Sequence, residues 1–258
     1  MGCKLERSRQ WSIRMMHEAR YHPQNCFLTL TYDNQNLPLD NGLHLRHWQL
    51  FMKKLRRQLP QKIRFFACGE YGDLNGRPHY HAVIFGYDPP DRLFFERSKS
   101  GEAIDVSASL SSVWGAGLCS VQNVTHKSCA YVARYVTKKI KTSDSFGAER
   151  YYRLSPVDGL FHSVRPEFAV MSRRPGIGSA FASEFKSDYY PSGFLIVDGV
   201  RQAPPKFYVS KLSEKEQQRL KRQARKLSLK NKPHTTTERR MARAAVRDAR
   251  INKLQRTL

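Results

Sequence analysis

The stretch from Gly69 to Gly86 constrains the chain most, because a polar, glycine-rich loop runs there into a strand that opens with His79-Tyr80-His81. Side chains alternate between the faces of a strand, so His79 and His81 point to one face and Tyr80 to the other. The two imidazoles are separated by roughly 7 Å of strand rise and can converge on one divalent ion. Glu70, across the loop, is the nearest carboxylate that could complete a site. Taken alone, the pattern is explained more simply by two surface histidines near a sheet edge, so the choice depends on the rest of the chain.

The charge balance of the chain indicates a polyanionic partner. Lysine and arginine number 45 against 22 acidic residues, which gives a formal net charge of +23 and a pI near 10.1. We therefore expect nucleic acid first, and an anionic membrane surface second, as the partner. A hydrophobic fraction of 40% is enough to build a core and excludes a disordered protein. No run approaches the roughly 20 apolar residues of a membrane span, and the polar start predicts no signal peptide.

The five cysteines are an odd number and form no Cys-x-x-Cys pair. This usage predicts a reducing compartment, without a disulfide framework or a zinc finger. Three of the cysteines stand inside apolar stretches, where they are expected to pack as small hydrophobic side chains: Cys26, Cys68 and Cys129.

Hydrophobic periodicity predicts an α+β fold, a small antiparallel sheet covered by helices. We expect helices over residues 4–20, 44–59, 106–114 and 126–141, and strands over residues 26–33, 62–68, 80–85 and 118–124. Residues 89–103 are predicted to be irregular. Residues 151–199 mix short apolar pieces with a basic turn, Ser172–Gly178, that fits a phosphate contact and an exposed loop equally well.

The C-terminal part of the chain differs in character from the rest. Residues 211–258 contain 16 basic and four acidic residues and no aromatic residue. They predict two basic helices or nascent helices, on either side of Pro233, that fold on nucleic acid. We therefore predict a domain over 1–205, with a core at about 24–141 and an extension at 142–205, followed by a basic, partly helical or disordered tail over 206–258.

The predicted helix over residues 126–141 distinguishes between the two explanations of the histidine pair. At about 100° per residue, Tyr131, Tyr135 and Lys138 share one face of this helix. A separate stripe is aliphatic and consists of Cys129, Val132, Ala133, Val136 and Ile140. Because a core stripe exists without the tyrosines, core packing explains the tyrosine pair poorly. Neighbouring cations can lower the pKa of a phenol or hold a phosphate.

Together, these residues favour chemistry on a phosphodiester. A divalent ion held by histidines polarises the phosphate, and a tyrosine oxygen can attack phosphorus to form a covalent phosphotyrosine. The sequence contains no Gly-x-Ser-x-Gly and no obvious cysteine–histidine pairing for another nucleophile. Phosphate-loop and dinucleotide fingerprints are also absent, since Gly176-Ile177-Gly178 is too short to count.

Three ordered segments resemble a known family. Phe27–Tyr32, His79-Tyr80-His81 and Tyr131–Lys139 follow the order of motifs one, two and three of the HUH endonucleases, which are rolling-circle replication initiators. Gly69-Glu70-Tyr71-Gly72 and Met171–Gly178 are similar to segments of the initiators of microviruses, especially the gokushovirus type. The resemblance covers roughly residues 4–185. This chain begins almost directly at its first helix, whereas similar proteins tend to carry a short cysteine-containing leader, so we expect a truncated start or a dispensable leader.

The resemblance implies a sheet of four or five antiparallel strands and a site for Mg²⁺ or Mn²⁺ on His79 and His81. Glu70 would be the third and weakest ligand. Tyr131 and Tyr135 would be the nucleophiles. They would nick one strand at a viral origin, form a 5′-phosphotyrosine and rejoin the ends.

In the same resemblance, Lys138 would hold the phosphate or stabilise the leaving oxygen, with Lys139 as second choice. The implied partners are single-stranded DNA, viral origin DNA, and the helicase and polymerase of a bacterial host, in whose cytoplasm the protein would work. No helicase fingerprint follows the nuclease motifs.

Two alternatives stay open. A non-catalytic single-stranded nucleic-acid-binding protein explains the charge but leaves the histidine pair and the tyrosine face unexplained. A metal-dependent hydrolase that uses water would need the histidines and no tyrosine.

Overall fold

The computed structural model describes residues 2–72, 76–98, 101–135 and 151–253, and the side chains of these residues except 2–4, 135 and 250–253. The chain forms two compact units, Met1–Gly178 and Ser179–Leu258. The domain boundary that the sequence predicts at residue 205 stays a prediction.

The first unit is built on one antiparallel sheet of seven strands in the order β4-β5-β6-β1-β3-β2-β9. The strands are β1 Asn25–Tyr32, β2 Arg64–Tyr71, β3 Pro78–Phe85, β4 Arg92–Arg97, β5 Ala103–Ser107, β6 Gly117–Asn123 and β9 Phe168–Met171. A separate hairpin pairs β7 (Tyr152–Leu154) with β8 (Phe161–Ser163). The predicted α+β class is confirmed, with more strands in the sheet than the four or five expected.

Helices cover both faces of this sheet. They are α1 Gly2–Ala19, α2 Leu45–Gln58, α3 Ala108–Trp114 and α4 His126–Tyr135. Trp48 and Phe51 of α2 and Leu110 of α3 belong to the main core, which also contains Tyr80 of β3. On the face to which His81 points, α4 packs against β2, β3 and α1. The alternation along β3 therefore separates a core side from the side that carries the candidate site.

The four predicted strands, β1, β2, β3 and β6, start and end within about three residues of their predicted bounds, whereas three other strands of the main sheet, β4, β5 and β9, were not predicted. The segment predicted to be irregular, residues 89–103, contains all of β4 and only the first residue of β5. The strand β4 was missed because it is an outer strand with exposed side chains and lacks apolar alternation. Phe94 and Phe95 of this strand are exposed. The prediction that Cys26, Cys68 and Cys129 pack as buried hydrophobic side chains is confirmed.

The second unit is largely helical around a small aromatic core. Its elements are α5 Ser179–Glu184, β10 Leu195–Val197, β11 Val200–Gln202, α6 Lys206–Val209, α7 Glu214–Lys230 and α8 Thr237–Lys253. Phe181, Tyr189 and Tyr208 are buried together. Ser213 and Glu216 form a capping box at the start of α7. The predicted basic helices on either side of Pro233 are α7 and α8.

Among the described residues, no helix is both long enough and apolar enough to cross a membrane.

Candidate active site

Three side chains on neighbouring strands converge on one point of the sheet. Glu70 of β2 is directly opposite His79 of β3, and Cys68 is opposite His81, so Glu70 and both histidines share a face. The Oε2 atom of Glu70 lies 3.3 Å from Nε2 of His81 and 3.8 Å from Nε2 of His79. The ligand atoms of the three residues all lie within 4.8 Å of one another. In the described part of the chain, this is the cluster of histidine, cysteine and acidic side chains that could hold a metal ion.

The position of Glu70 corrects the expectation that it belongs to a loop. It lies inside β2, because that strand continues through Gly69 to Tyr71. Gly69 pairs with Phe168 of β9, and a Cβ at Gly69 would lie only 2.8 Å from Cε1 of Phe168. The glycine therefore permits close packing on the core side of the sheet, and the strand carries Glu70 on the other side.

Hydrogen bonds fix the orientation of both imidazole rings. Nδ1 of His79 lies 3.0 Å from the carbonyl oxygen of Arg77. Because a carbonyl only accepts, Nδ1 is the donor in this contact, and the ring presents Nε2 towards Glu70. Nδ1 of His81 is 2.9 Å from Oγ1 of Thr29. Such outer contacts orient histidine ligands in metal sites.

Sequence reasoning missed the contribution of β1 to this site. Thr31 and Thr29 are opposite His79 and His81 in the register, and Phe27 stacks on His81 with ring centroids 5.7 Å apart. The signal was present, because strict alternation places Phe27, Thr29 and Thr31 on one face of an otherwise aliphatic strand. Two threonines on that face would have indicated a polar environment above the sheet.

Tyr131 of α4 completes the cluster. Its hydroxyl donates to Oε2 of Glu70 at 3.4 Å and lies 3.4 Å from Nε2 of His81. Its ring meets the rings of His81 and Phe27 edge to face, and the guanidinium of Arg134 lies 5.1 Å from the ring centroid. Tyr131 lies on a different face of the helix from the aliphatic stripe, as helical periodicity predicts. Even so, only 5% of the surface of Tyr131 is exposed. It is buried because it points into the candidate site.

The other predicted residues of this helix are not positioned by the structure. Tyr135 ends α4 one helical turn after Tyr131, and its side chain lies outside the described residues. Lys138 and Lys139 also lie outside them. Their proposed roles as second nucleophile and phosphate ligands stay predictions.

The donor set fits a divalent metal ion. Two imidazole nitrogens and one carboxylate oxygen form a mixed set that Mn²⁺ accepts readily, whereas Mg²⁺ prefers oxygen ligands. The carboxylate supplies the negative charge, and the side chains are oriented before any ion binds. A phenol hydroxyl beside such a set is placed to act as a nucleophile.

Comparisons with known proteins show which proteins the chain is similar to. The family model described as "Replication-associated protein ORF2/G2P" matches residues 25–140, a segment that contains Glu70, His79, His81 and Tyr131. The chain is therefore similar to the replication-associated proteins that this model describes, and the resemblance to phage replication-associated proteins is confirmed.

Individual relatives are phage proteins. The chain is 29% identical over 215 residues to replication-associated protein VP4 of Bdellovibrio phage phiMH2K, covering 80% of this chain and 63% of the relative. It is 31% identical over 214 residues to replication-associated protein ORF4 of Chlamydia phage 1, covering 80% of this chain and 50% of the relative. Replication-associated protein ORF2 of Spiroplasma virus 4 is 29% identical, with 84% of this chain and 67% of the relative covered. The chain thus spans about half to two thirds of the length of these relatives. No solved structure matches significantly.

Proposed function

We propose that this protein is a replication initiator of the HUH type, which nicks one strand of viral origin DNA by attack of Tyr131. The observation that carries the proposal is the Tyr131 hydroxyl at 3.4 Å from both Glu70 and His81, inside a cluster suited to a divalent ion. The names of the phage relatives, which describe replication-associated proteins, support the same biological role.

Glu70, His79 and His81 would hold the metal ion, Mg²⁺ or Mn²⁺. When bound, such an ion polarises a phosphate oxygen and stabilises the charge of the transition state. The protein orients the two rings through Thr29 and the backbone of Arg77, which is the work that outer contacts do in metal sites.

The covalent step belongs to Tyr131. Its oxygen attacks phosphorus in line with the bond to the 3′ oxygen, that bond breaks, and the 5′ phosphate stays on the tyrosine. The phenol proton passes to water as the bond to phosphorus forms. The departing 3′ oxygen takes a proton from water and becomes a free 3′-OH. The reverse attack by a 3′-OH rejoins the strand, and Tyr135 would supply the second nucleophile for termination.

The basic helices α7 and α8 would hold DNA by its phosphates. Their lysines and arginines are exposed along most of both helices. Helical spacing places Arg240, Arg243 and Arg247 on one side of α8, away from Met241 and Ala245. Repeated cations on one side of a helix match the repeated charge of a nucleic-acid backbone. Single-stranded and origin DNA are therefore the proposed ligands.

Other partners follow from the product. A free 3′-OH is a primer for a polymerase, and strand separation needs a helicase, both of which we assign to the bacterial host. The proposed place of action is the cytoplasm of that host.

The experiment uses a single-stranded oligonucleotide from the phage origin, incubated with protein and Mn²⁺. Label at the 3′ end should move to the protein band in a denaturing gel, while label at the 5′ end should appear on a shorter free strand. Tyr131→Phe should lose the protein-bound label. Tyr152→Phe, which alters an exposed tyrosine of β7, should keep it.

Each alternative has its own result. Binding without any strand cleavage would indicate the non-catalytic nucleic-acid-binding protein. Cleavage that persists in the double variant Tyr131→Phe, Tyr135→Phe, with no label on protein, would indicate the hydrolase. An adduct that persists in Tyr131→Phe and disappears only in the double variant would assign first attack to Tyr135 instead.

A further inference from the structure

The basic turn Ser172–Gly178, which follows β9, is fixed to the first unit by its backbone. Nε of Arg14 donates to the carbonyl of Ile177 at 2.9 Å. Arg64 of β2 donates through Nη2 to the carbonyl of Pro175 at 2.6 Å. Two charged side chains from different elements therefore hold the turn through main-chain oxygens, so the position of its backbone does not depend on the side chains of Arg173 and Arg174.

A buried carboxylate closes the same cluster. Glu18 of α1 accepts from the backbone N–H of Gly178 at 2.6 Å, and its Oε1 lies 2.5 Å from Nε of Arg64. Burial alone would raise the pKa of Glu18, but hydrogen bonds from His22 and Gly178 and the charge of Arg64 together hold that pKa below its ordinary value. Glu18 is thus ionised at neutral pH, and Arg64 balances its charge.

Arg173 and Arg174 lie at the outer side of this turn. Both are exposed, and neither has a hydrogen bond or ion pair with another residue in the described part of the chain. The one carboxylate that holds the turn is already paired with Arg64, so the two guanidinium groups add positive charge without local compensation. Adjacent arginines repel each other unless an anionic ligand lies against them.

The register of β9 against β2 gives the distance between the turn and the candidate active site. Met171, the last residue of β9, is opposite Phe66 of β2, and Glu70 lies four residues further along the same strand. At about 3.4 Å per residue, this separation is about 14 Å. A single strand can extend to roughly twice the 3.4 Å axial spacing of phosphates in B-DNA, so the turn begins about two to four phosphates from the site. Glu18 and Arg14, which anchor the turn, belong to α1, and α1 packs on the helix that carries Tyr131.

We propose that Arg173 and Arg174 contact the DNA backbone about two to six phosphates away from the phosphate that Tyr131 attacks. The inference rests on the proposed function for the identity of the ligand. Guanidinium groups bind phosphate oxygens through paired hydrogen bonds and read no base. The turn therefore positions the strand in the site and adds affinity that is independent of sequence.

The test compares the double variant Arg173→Gln, Arg174→Gln with a matched control, Lys53→Gln, Arg57→Gln. The control removes the same charge from exposed positions of α2, on the core side of the sheet. Affinity for a long single strand is measured without divalent ions over a salt series. The slope of log K against log salt should fall by about 1 for each arginine that contacts a phosphate, and it should stay unchanged in the control. Equal thermal unfolding of both variants would show that the fold is retained.

A second arm tests the distance. With origin strands trimmed to about one nucleotide on each side of the cleaved phosphate, the turn is out of reach, so wild type and variant should have the same affinity. An unchanged slope on the long strand, or an equal loss on the trimmed strand, would overturn the proposal. If no covalent adduct forms but the slope still falls, the nicking function fails while the arginine contact stands, so the two failures are distinguishable.

Discussion

Two clusters of histidine and carboxylate lie on opposite faces of the same sheet, and only one has the geometry of a metal site. Glu70, His79 and His81 converge from adjacent strands within 4.8 Å. On the core side, Nε2 of His44 lies 2.9 Å from Asp40.

The histidines of the core-side cluster, His44 and His47, form hydrogen bonds with other protein groups. Nδ1 of His47 lies 2.7 Å from the hydroxyl of Tyr32, which in turn lies 2.8 Å from the hydroxyl of Tyr80. Tyr80 donates to the carbonyl of His44 and accepts from its N–H. The imidazole of His47 therefore belongs to a hydrogen-bonded chain that anchors the start of α2 to the sheet.

The difference shows what residue type alone does not reveal. His79-Tyr80-His81 sends two ligands to one face and a structural tyrosine to the other, so neighbouring residues serve the two clusters. The strand-borne imidazoles present Nε2 to a shared carboxylate, whereas His44 and His47 on the opposite face have separate partners. We expect chemistry from the first cluster and stability from the second.

The largest expected effect is on metal binding. His81→Ala removes a ligand, so we expect Mn²⁺ affinity and strand cleavage to fall by more than about 100-fold, beyond the loss typical of outer-contact changes. His47→Ala should leave both within about twofold of wild type, once its lower stability is allowed for. Calorimetric Mn²⁺ titration and the covalent-adduct assay measure the two quantities. Equal losses in both variants would remove the distinction between the clusters.

The next effect tests the carboxylates as a matched pair. Glu70→Gln keeps the shape of the side chain but removes its charge, so we expect weaker Mn²⁺ binding by about 10–100-fold, similar to other changes near a metal site. Asp40→Asn makes the equivalent change opposite His44 and should leave Mn²⁺ affinity unaltered. Retained affinity in Glu70→Gln would mean that the third ligand is another group.

The third prediction concerns the core-side cluster, where we expect a substitution to lower stability rather than metal binding. Tyr80→Phe deletes the hydroxyl that joins Tyr32 to the backbone of His44, which leaves buried polar groups without a partner. We expect the free energy of unfolding to fall by about 1–3 kcal/mol. Urea unfolding followed by tryptophan fluorescence reports it, because every tryptophan lies in the first unit. Tyr152→Phe is the exposed control and should change little.

The sequence was sufficient for part of this picture. Alternation along β3 predicted that His79 and His81 share a face, and helical periodicity separated Tyr131 from the aliphatic stripe of α4. The strand position of Glu70 was missed, because its neighbour Gly69 is typical of loops, and only packing against Phe168 explains a glycine inside that strand.

Long-range packing accounts for the remaining misses. The pairing of Tyr32 with Tyr80 and His47 joins residues far apart in the chain, and no local pattern indicates it. The anchoring of the Ser172–Gly178 turn by Glu18 is of the same kind, since 160 residues separate Glu18 from Gly178.

The smallest expected effect is the pH response of the core-side cluster. Burial, and then the charge of His44, lower the pKa of His47 below its ordinary value of 6.5, while Asp40 opposes this shift. The unfolded chain therefore binds a proton more readily than the folded one as the pH falls below 6.5. The stability from neutral His47 is complete above that pH and is lost as the pH falls through the lower folded pKa.

The variant His47→Gln should make the fall in unfolding free energy below pH 6.5 shallower without abolishing it. His17 has the same sign, because burial and then Arg20 lower its pKa from 6.5 to about 4, so its share of the acid response remains. Urea unfolding at several pH values between about 4 and 6.5 measures how steeply the free energy of unfolding falls with pH in wild type and variant. A steeper acid response in His47→Gln would contradict the assignment of a neutral, structural imidazole to the core side of the sheet.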